Sequence, residues 1–341
     1  MKQLIIITLP INYNTTHQYG DGAVVNVYED QSKDFKIIGG VLKKYKGESM
    51  DVVIPNNVFK VDSMCFAHLA IKSIYISASV TNIDDCAFAD CESSIESIYV
   101  DNKNECFVVD NGVLICKTDK SIVKSTISLV DYVIPNGITR INSYAFENCK
   151  KLKKVIIPES VETIGYCCFK NCKSLQSVDL PKKLKKLGTG SFDNCKSLKA
   201  ISIPITVEKV YSEFKGCNLD SIKIEKAYYL SYGIQENVKR LIIPSSIIDN
   251  SDSIQYRYAR FKEIEVIYDG QISKSALSTL EWWLKENRLV SSSKKKIEEE
   301  ISKIKAEEWK SKDLCQYCGE RFYKPFIGKT RCRICGKTKD Y

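Results

Sequence analysis

Four cysteines near the C-terminus have the spacing of a metal-binding site. They stand in two Cys-x-x-Cys-Gly motifs, which begin at Cys315 and Cys332, and 13 residues separate the two cysteine pairs. Two residues between the cysteines of a pair let both thiolates reach one ion, and the glycine that follows lets the backbone turn beneath the sulfurs. Four thiolates complete a tetrahedron and leave no open position for water or substrate. The sequence therefore predicts one structural Zn²⁺, bound by Cys315, Cys318, Cys332 and Cys335.

These motifs resemble those of a zinc ribbon, which would span residues 313–341. A rubredoxin-type iron site uses similar pairs with a longer separation and is the alternative. So short a segment cannot build an apolar core, and metal binding worth about 10 kcal/mol or more would supply its folding energy. The ribbon could contact a protein or only cap the chain. A nucleic-acid contact also stays open because basic and aromatic residues alternate there: Arg321, Lys324, Lys329, Arg331 and Arg333 with Tyr317, Tyr323 and Phe326.

The remaining composition excludes several classes of function. No apolar run reaches the roughly 18 residues needed to span a bilayer, and the chain has only two histidines, His17 and His68. The formal charge is +9, and the tail from Lys312 onward carries eight basic against three acidic residues, which is a mild basic patch. No combination of nucleophile, base and oxyanion-stabilising groups stands out. We expect no enzymatic activity, no small-molecule substrate and no membrane span.

Eleven of the 15 cysteines lie outside the metal motifs and favour a reducing compartment. The neighbouring Cys167 and Cys168 could form a redox pair, but no cationic or helix-terminal setting indicates a lowered thiol pKa. Five others recur at one position of a repeat, where a free thiol behaves as a small hydrophobe: Cys91, Cys149, Cys172, Cys195 and Cys217. We predict a cytoplasmic protein, with a secreted or cell-surface location as the alternative.

The N-terminus decides between these locations. Met1–Ile11 resembles the start of a secretory signal because a lysine precedes an apolar stretch. Thr8 and Pro10 interrupt that stretch, and no small-x-small cleavage site follows it. We predict a buried first strand in an N-terminal β extension, residues 1–36, and keep a signal peptide as the alternative.

A repeat of 22–23 residues fills the middle of the chain. Its prolines, phenylalanines and cysteines recur in step: Pro135, Pro158, Pro181 and Pro204; Phe146, Phe169, Phe192 and Phe214; and the five cysteines named above. Leu175–Pro181 reads as a short strand whose first, fourth and sixth residues face the core, and Val161–Gly165 reads as the return across it. Because no turn can bury its apolar side alone, stability should come from contacts between neighbouring turns. Gly112–Ile115 interrupts the repeat.

These residues resemble the BspA-like leucine-rich repeats, whose pattern is C-x-x-L-x-x-I-x-I-P-x-x-V-x-x-I-x-x-x-A-F. Ala87-Phe88 and Ala145-Phe146 match its last two positions, and the family's Gly-Val-Leu phrase occurs at Gly40 and at Gly112. The resemblance implies a curved right-handed solenoid, mainly β, with a parallel sheet on one face, used for binding rather than catalysis. Many relatives are surface adhesins. We place the solenoid at residues 37–270.

The third and fifth residues of each strand should face away from the core and carry recognition. Tyr75 and Tyr99 should lie next to each other, close to exposed apolar residues of the following strands. Such amphipathic surfaces are typical of protein interfaces, although the same residues also suit a solvated sheet. The predicted partner-binding residues are Tyr75, Tyr99, Val133, Lys154, Ile156 and Asp179.

Residues 271–312 are predicted to be helical. The apolar spacing of residues 273–289 predicts an amphipathic helix that caps the open end of the solenoid, with Ser273 as its N-cap. Ser291–Ser293 should break the pattern before a charged helix, residues 294–310. The apolar stripe of that helix is narrow (Ile297, Ile301 and Ile304), which favours a spacer over a coiled coil.

The favoured function is a non-catalytic scaffold that binds a protein through the solenoid strand face and adds the ribbon as a second contact. The partner is not identified by the sequence. A nucleic-acid-associated protein that uses the ribbon and an exported BspA-like adhesin are the alternatives.

Overall fold

A computed structural model describes the greater part of the chain. The described residues are 6–9, 17–18, 24–27, 31–91, 95–210, 213–225, 238–248, 261–269, 272–311, 322–323 and 331–332. The chain divides into two compact units, the first formed by residues 1–222 and 228–238 and the second by residues 223–227 and 239–341. No helix in the described part is long and apolar enough to cross a membrane.

Short strands dominate the secondary structure. In chain order they are β1 (Ile6–Leu9), β2 (His17–Gln18), β3 (Val24–Val27), β4 (Phe35–Ile38), β5 (Val41–Tyr45), β6 (Asp51–Val53), β7 (Lys60–Val61), β8 (Ser73–Ile76), β9 (Asn82–Ile83), β10 (Ser97–Val100), β11 (Phe107–Asp110), β12 (Val113–Cys116), β13 (Ser121–Ser125), β14 (Asp131–Val133), β15 (Arg140–Ile141), β16 (Lys154–Ile156), β17 (Thr163–Ile164), β18 (Lys186–Leu187), β19 (Ala200–Ile203), β20 (Leu219–Ile224), β21 (Val238–Pro244), β22 (Glu263–Ile267), β23 (Phe322–Tyr323) and β24 (Arg331–Cys332). The helices among the described residues are α1 (Leu277–Lys285) and α2 (Ser291–Ser311), with 3₁₀ turns at Gln31–Asp34, Ser245–Ile247 and Lys274–Ala276.

The first unit is a solenoid with two parallel ladders. The predicted ladder is formed by β6, β8 and β10 and, further along, by β14 and β16. The predicted return segment forms a second ladder, in which Arg140, Thr163 and Lys186 are register partners on β15, β17 and β18. The predicted strand at Leu175 is reduced to one bridge between Ser177 and Lys154. A parallel sheet therefore lies on two sides of the turn instead of one.

The repeat positions form continuous columns through this unit. Phe169 is fully buried, and its ring centroid lies 5.1 Å from that of Phe146 and 5.3 Å from that of Phe192. The Cys172 thiol donates to the Phe146 carbonyl at 3.1 Å, and Cys195 repeats this contact one turn later. Each buried thiol thus makes a hydrogen bond in addition to filling space.

Asparagines form a further column just before the cysteines. The Asn171 amide donates to Asn148 at 2.9 Å, and the Asn194 amide donates to Asn171 at 3.1 Å. All three have positive φ, between 59° and 65°, a region that asparagine tolerates better than most residues. Gly216 takes the next place because a Cβ there would lie 2.3 Å from the Asn194 side-chain oxygen.

The predicted interruption of the repeat is an antiparallel hairpin. β11 and β12 pair around Asn111 and Gly112, both of which have positive φ, as Asn-Gly hairpin turns require. The turns before and after the hairpin contact each other through side chains, since the Ser143 hydroxyl donates to the Asp85 carboxylate at 2.5 Å. The hairpin interrupts both ladders, whose strands before and after it belong to separate sheets.

The second unit contains a parallel pair, β21 with β22, and the two helices. Ala276, Leu280 and Trp283 are fully buried, as the predicted amphipathic helix requires, although α1 ends at Lys285. Asn287, with φ of 52°, follows that end. The segment at Leu289 then adds to the edge of β22 through a bridge with Ile264.

Three details of the helical prediction are wrong. Ser273 is not the N-cap of α1, which begins at Leu277 after a 3₁₀ turn and has Ala276 in that position. Ser291–Ser293 does not break the helix but forms the first turn of α2, because the Ser293 hydroxyl accepts from the Val266 amide at 2.9 Å and donates to the Val266 carbonyl at 3.1 Å. The first half of α2 is not a free spacer either. Ile297 is fully buried and Ile301 is 6% exposed, so the narrow stripe packs into this unit.

Replacement of Phe169 by alanine should lower the free energy of unfolding by about 3 to 5 kcal/mol, since it empties a fully buried site in the ring stack. Chemical denaturation monitored by circular dichroism measures the change. Tyr166→Ala is the matched control, because Tyr166 lies in the same turn and is 58% exposed. Equal stabilities of the two variants would contradict the stacked core.

Candidate protein-binding surface

The outward face of β14 and β16 carries the clearest surface for recognition. Tyr132 and Val155 point into the core, whereas the residues on either side of each are exposed. Val133 is 61% exposed, Ile156 is 45% exposed, and they are register partners. The structure thus places two apolar side chains next to each other in solvent. The predicted exposure is confirmed at Val133, Lys154, Ile156 and Asp179.

The predicted exposure of Tyr75 is wrong. This side chain is only 8% exposed, and its hydroxyl donates to the Asp101 carboxylate at 2.6 Å. Val53, its register partner on β6, is also buried, and the β1 backbone lies next to β6. Tyr99 is aligned with Tyr75 as predicted but is partly exposed. Of the two predicted tyrosines, Tyr99 is therefore the one that a partner could contact.

A groove that the sequence interpretation missed lies beside Tyr99. It encloses about 710 Å³ between the end of β10 and the hairpin, with Val100, Asp101, Val108 and Lys117 in its lining. Val108 is 42% exposed. The Asn-Gly pair at the hairpin tip was the signal that could have revealed this second wall.

A second groove, of about 440 Å³, lies over the second ladder. Gly165 and Gly188 form part of its lining, and a Cβ at Gly165 would lie 2.3 Å from the Ser143 backbone nitrogen. Glycine is thus needed here for close approach between turns as well as for freedom at a corner. The Ser143 hydroxyl donates to Asp85 and accepts from the Tyr166 amide at 3.0 Å. With both interactions made, this hydroxyl has a structural role.

The eleven cysteines outside the metal motifs are free thiols. Burial raises the pKa of Cys91 to about 11 and that of Cys65 to about 12. In the adjacent pair, burial raises the pKa of Cys168 well above its usual range, and it raises that of Cys167 although the Lys170 ammonium acts in the other direction. These thiols are protonated at neutral pH, which favours packing over redox chemistry.

The predicted zinc ligands lie almost entirely outside the described residues. Cys315, Cys318 and Cys335 are not described, and of Cys332 only the backbone in β24 is. Among the residues that are described, no group of histidine, cysteine and carboxylate side chains could hold a metal ion. β23 and β24 form an antiparallel pair in which Phe322 faces Cys332. This hairpin joins the two cysteine motifs.

Comparison with known proteins identifies the repeat. The model of the BspA type leucine-rich repeat region, in six copies, matches residues 44–123 and 117–234, which is more than half of the chain. The chain belongs to the BspA-type leucine-rich repeat family. A comparison with curated proteins gave no match. The two ladders and the columns of phenylalanine and cysteine described above are therefore properties of BspA-type turns in this chain.

Solved structures of leucine-rich repeat proteins are similar to this chain. One from Eubacterium ventriosum is 22% identical, with a TM-score of 0.50 over 65% of this chain and 61% of that chain. A leucine-rich cell surface protein from Faecalibacterium prausnitzii is 27% identical, with a TM-score of 0.45 over 66% of this chain and 54% of that chain. The BspA-type chain thus spans less than two thirds of either structure, and the first likeness shows the fold alone.

Alkylation should distinguish a packed thiol from a redox-active one at Cys167. Because its pKa is raised, the rate of modification by iodoacetamide should be low at neutral pH and should increase steadily into the alkaline range. Mass spectrometry of the native protein measures this, with unfolded protein as the control in which every cysteine reacts. A rate that is already at its plateau at neutral pH would reveal a thiolate and contradict the structural role.

Proposed function

We propose that this BspA-type protein is a non-catalytic scaffold that binds a protein partner through the outward face of its first ladder. The observation that carries the proposal is the apolar pair Val133 and Ile156, exposed side by side in a regular sheet. Exposed apolar side chains within a polar rim are typical of protein interfaces. The exposed Lys154 on β16 and the exposed Asp179 of the following turn lie beside this pair, whereas Tyr99 lies on β10 in a separate sheet.

The regular backbone supports this assignment. β14 and β16 are held by their own parallel pairing and by the buried side chains beneath them, Tyr132 and Val155. Binding to such a rigid surface costs less conformational entropy than binding to a loop, because a loop must become ordered in the complex. Leucine-rich repeat solenoids present extended surfaces of this kind for protein interaction.

The second contact would be the zinc ribbon. The donor set fits Zn²⁺, since two Cys-x-x-Cys pairs supply four thiolates, and the β23–β24 hairpin supports a fold in which the pairs approach each other. A bound ion would organise the segment from Cys315 to Cys335. Protein contact is the proposed role of the ribbon, with nucleic acid as the alternative.

The location is proposed to be the cytoplasm. Eleven free thiols, with Cys168 and Cys172 fully buried, suit a reducing compartment. An exported adhesin is the alternative that the BspA family suggests, and it would require processing of Met1–Ile11. An N-terminus found intact by mass spectrometry would count against that alternative.

The strand face can be tested with a photo-crosslinking amino acid in place of Ile156. A partner from native cells should be crosslinked from this position and should be lost when Val133 is changed to serine. The matched control places the same amino acid at Ile205, which is 56% exposed but lies outside the ladder. Identical crosslinked species from both positions would contradict a specific strand-face partner.

The zinc prediction can be tested on the full chain. Native mass spectrometry and elemental analysis should find one Zn²⁺ per chain, which the double change Cys315→Ser with Cys318→Ser removes while the solenoid stays folded. Cys106→Ser, at a half-buried solenoid cysteine, should keep the metal. Bound iron, or zinc retained by the double variant, would contradict the predicted site.

A further inference from the structure

The positive charge of the chain is concentrated in three turns of the solenoid. Residues 150–215 contain fourteen lysines and six acidic residues, a net charge of +8, against +9 for the whole chain. The tail that carries the cysteine motifs is therefore not the main basic region. These turns of the solenoid therefore favour a negatively charged partner.

Within these turns the lysines gather on one side. Residues 150–154, 173–177 and 196–200 cover the corner after each ladder cysteine and the beginning of the first ladder, and they contain no acidic residue. We call this region the lysine surface, and its seven lysines are Lys150, Lys151, Lys153, Lys154, Lys173, Lys196 and Lys199. All seven are exposed. None of them forms an ion pair with any described residue.

The arrangement works against the stability of the fold. Lys150, Lys173 and Lys196 occupy the same corner position in successive turns, and like charges that are close together repel each other. In the earlier turns the chain avoids this, since Lys72 has Glu96 of the next turn at 3.8 Å. Lys153 and Lys199, at the equivalent position, have only Gln176 between them. Asp131 is the register partner of Lys154 on β14 but forms no ion pair with it. A column of lysines that form no ion pair with any described residue is explained by a partner that supplies the acidic groups.

The opposite corner of these turns also carries lysines, but there acidic residues are interspersed with them. Lys182 and Lys183 follow Pro181, but acidic residues of the neighbouring turn accompany them. Glu159 accepts from the Lys182 amide at 3.0 Å, and Glu162 pairs with Lys185 at 2.7 Å. Acidic residues thus offset part of the charge at this corner, whereas the lysine surface contains none.

We infer that the lysine surface binds an acidic segment of a protein partner that also contacts the apolar pair Val133 and Ile156. This inference rests on the proposed function, because Lys154 and Ile156 belong to one strand and the two surfaces are continuous. The surface extends over three turns, or about 10 Å along the solenoid. That length suits a local cluster of carboxylates.

A nucleic acid fits this surface less well. Single-strand binding uses aromatic side chains on which bases stack, and the phosphates of a duplex are often held by arginine as well as lysine. The lysine surface contains neither aromatic residues nor arginine. Lysine binds carboxylates as a flexible point charge, without the fixed geometry of a guanidinium group. The adjacent apolar pair also matches a polypeptide better than a phosphate backbone.

The test measures binding of the full chain to three labelled probes by fluorescence anisotropy at low and moderate salt. The probes are a peptide of alternating glutamate and leucine, a peptide of glutamate alone and a short DNA duplex. The variants are the triple change Lys150→Glu, Lys173→Glu and Lys196→Glu, and a control triple change Lys182→Glu, Lys183→Glu and Lys186→Glu. Both triple variants replace three exposed lysines with glutamates, so they change the net charge equally, and circular dichroism verifies that both fold.

The glutamate–leucine peptide should bind best and should weaken with added salt. The first triple variant should lose about tenfold in affinity, as expected from three exposed pairs converted to repulsion, whereas the control should lose much less. Equal losses in the two variants, absence of peptide binding, or tighter binding of the duplex would each overturn the inference.

Ile156→Ser separates this inference from the proposed function. If it weakens peptide binding while the first triple variant does not, the strand face stands and the lysine surface is overturned. If the triple variant alone weakens binding, the lysine surface stands and the proposed strand face is contradicted.

Discussion

Each turn of the solenoid can bury its apolar side only against the turns on either side of it. The phenylalanine stack shows this most directly, since the rings of Phe146, Phe169 and Phe192 lie 5.1 to 5.3 Å apart. That separation is close to the spacing of about 4.8 Å between paired strands. Rings and ladders therefore require the same rise per turn, and a residue that suits one turn suits the next. This shared rise explains why thiols and asparagine amides also recur in columns.

The junction between the turns of Phe88 and Phe146 shows that the stack tolerates buried charged side chains. Between the turns of Phe88 and Phe146 the chain leaves to form the hairpin, and charged side chains occupy the junction. The buried Lys124 ammonium donates to the Tyr144 carbonyl at 2.7 Å. The Lys170 ammonium lies 3.3 Å from the buried Glu147 carboxylate and donates to Asp90, in the turn before the hairpin, at 2.5 Å. Burial raises the pKa of Glu147. Such a network contributes little net stability, but its specific contacts favour one alignment of the turns before the hairpin with the turns after it.

The repeat was predictable because Pro, Phe and Cys recur at a constant interval, and the buried face followed from it. The outward face was less predictable, because exposure there depends on contacts across turns. Tyr75 has the same strand position as exposed residues of later turns, yet a hydrogen bond to Asp101 accompanies its burial. Ser291–Ser293 resembled a break since its spacing gives no sign that Ser293 bonds to Val266. The metal motifs were recognised from spacing alone, and their geometry lies outside the described residues.

The stack also determines where this chain can differ from other proteins built on the same turn. Inward positions are constrained on both sides by identical neighbours, so a change at one turn disturbs two others. Outward positions such as Lys154 and Ile156 have no such constraint, and their side chains can follow the partner rather than the fold. The contrast between Lys72, which pairs with Glu96, and the unpaired lysines of later turns is a difference of this kind. The turns before and after the hairpin have the same backbone rise, and they differ in the charged side chains at their outward positions.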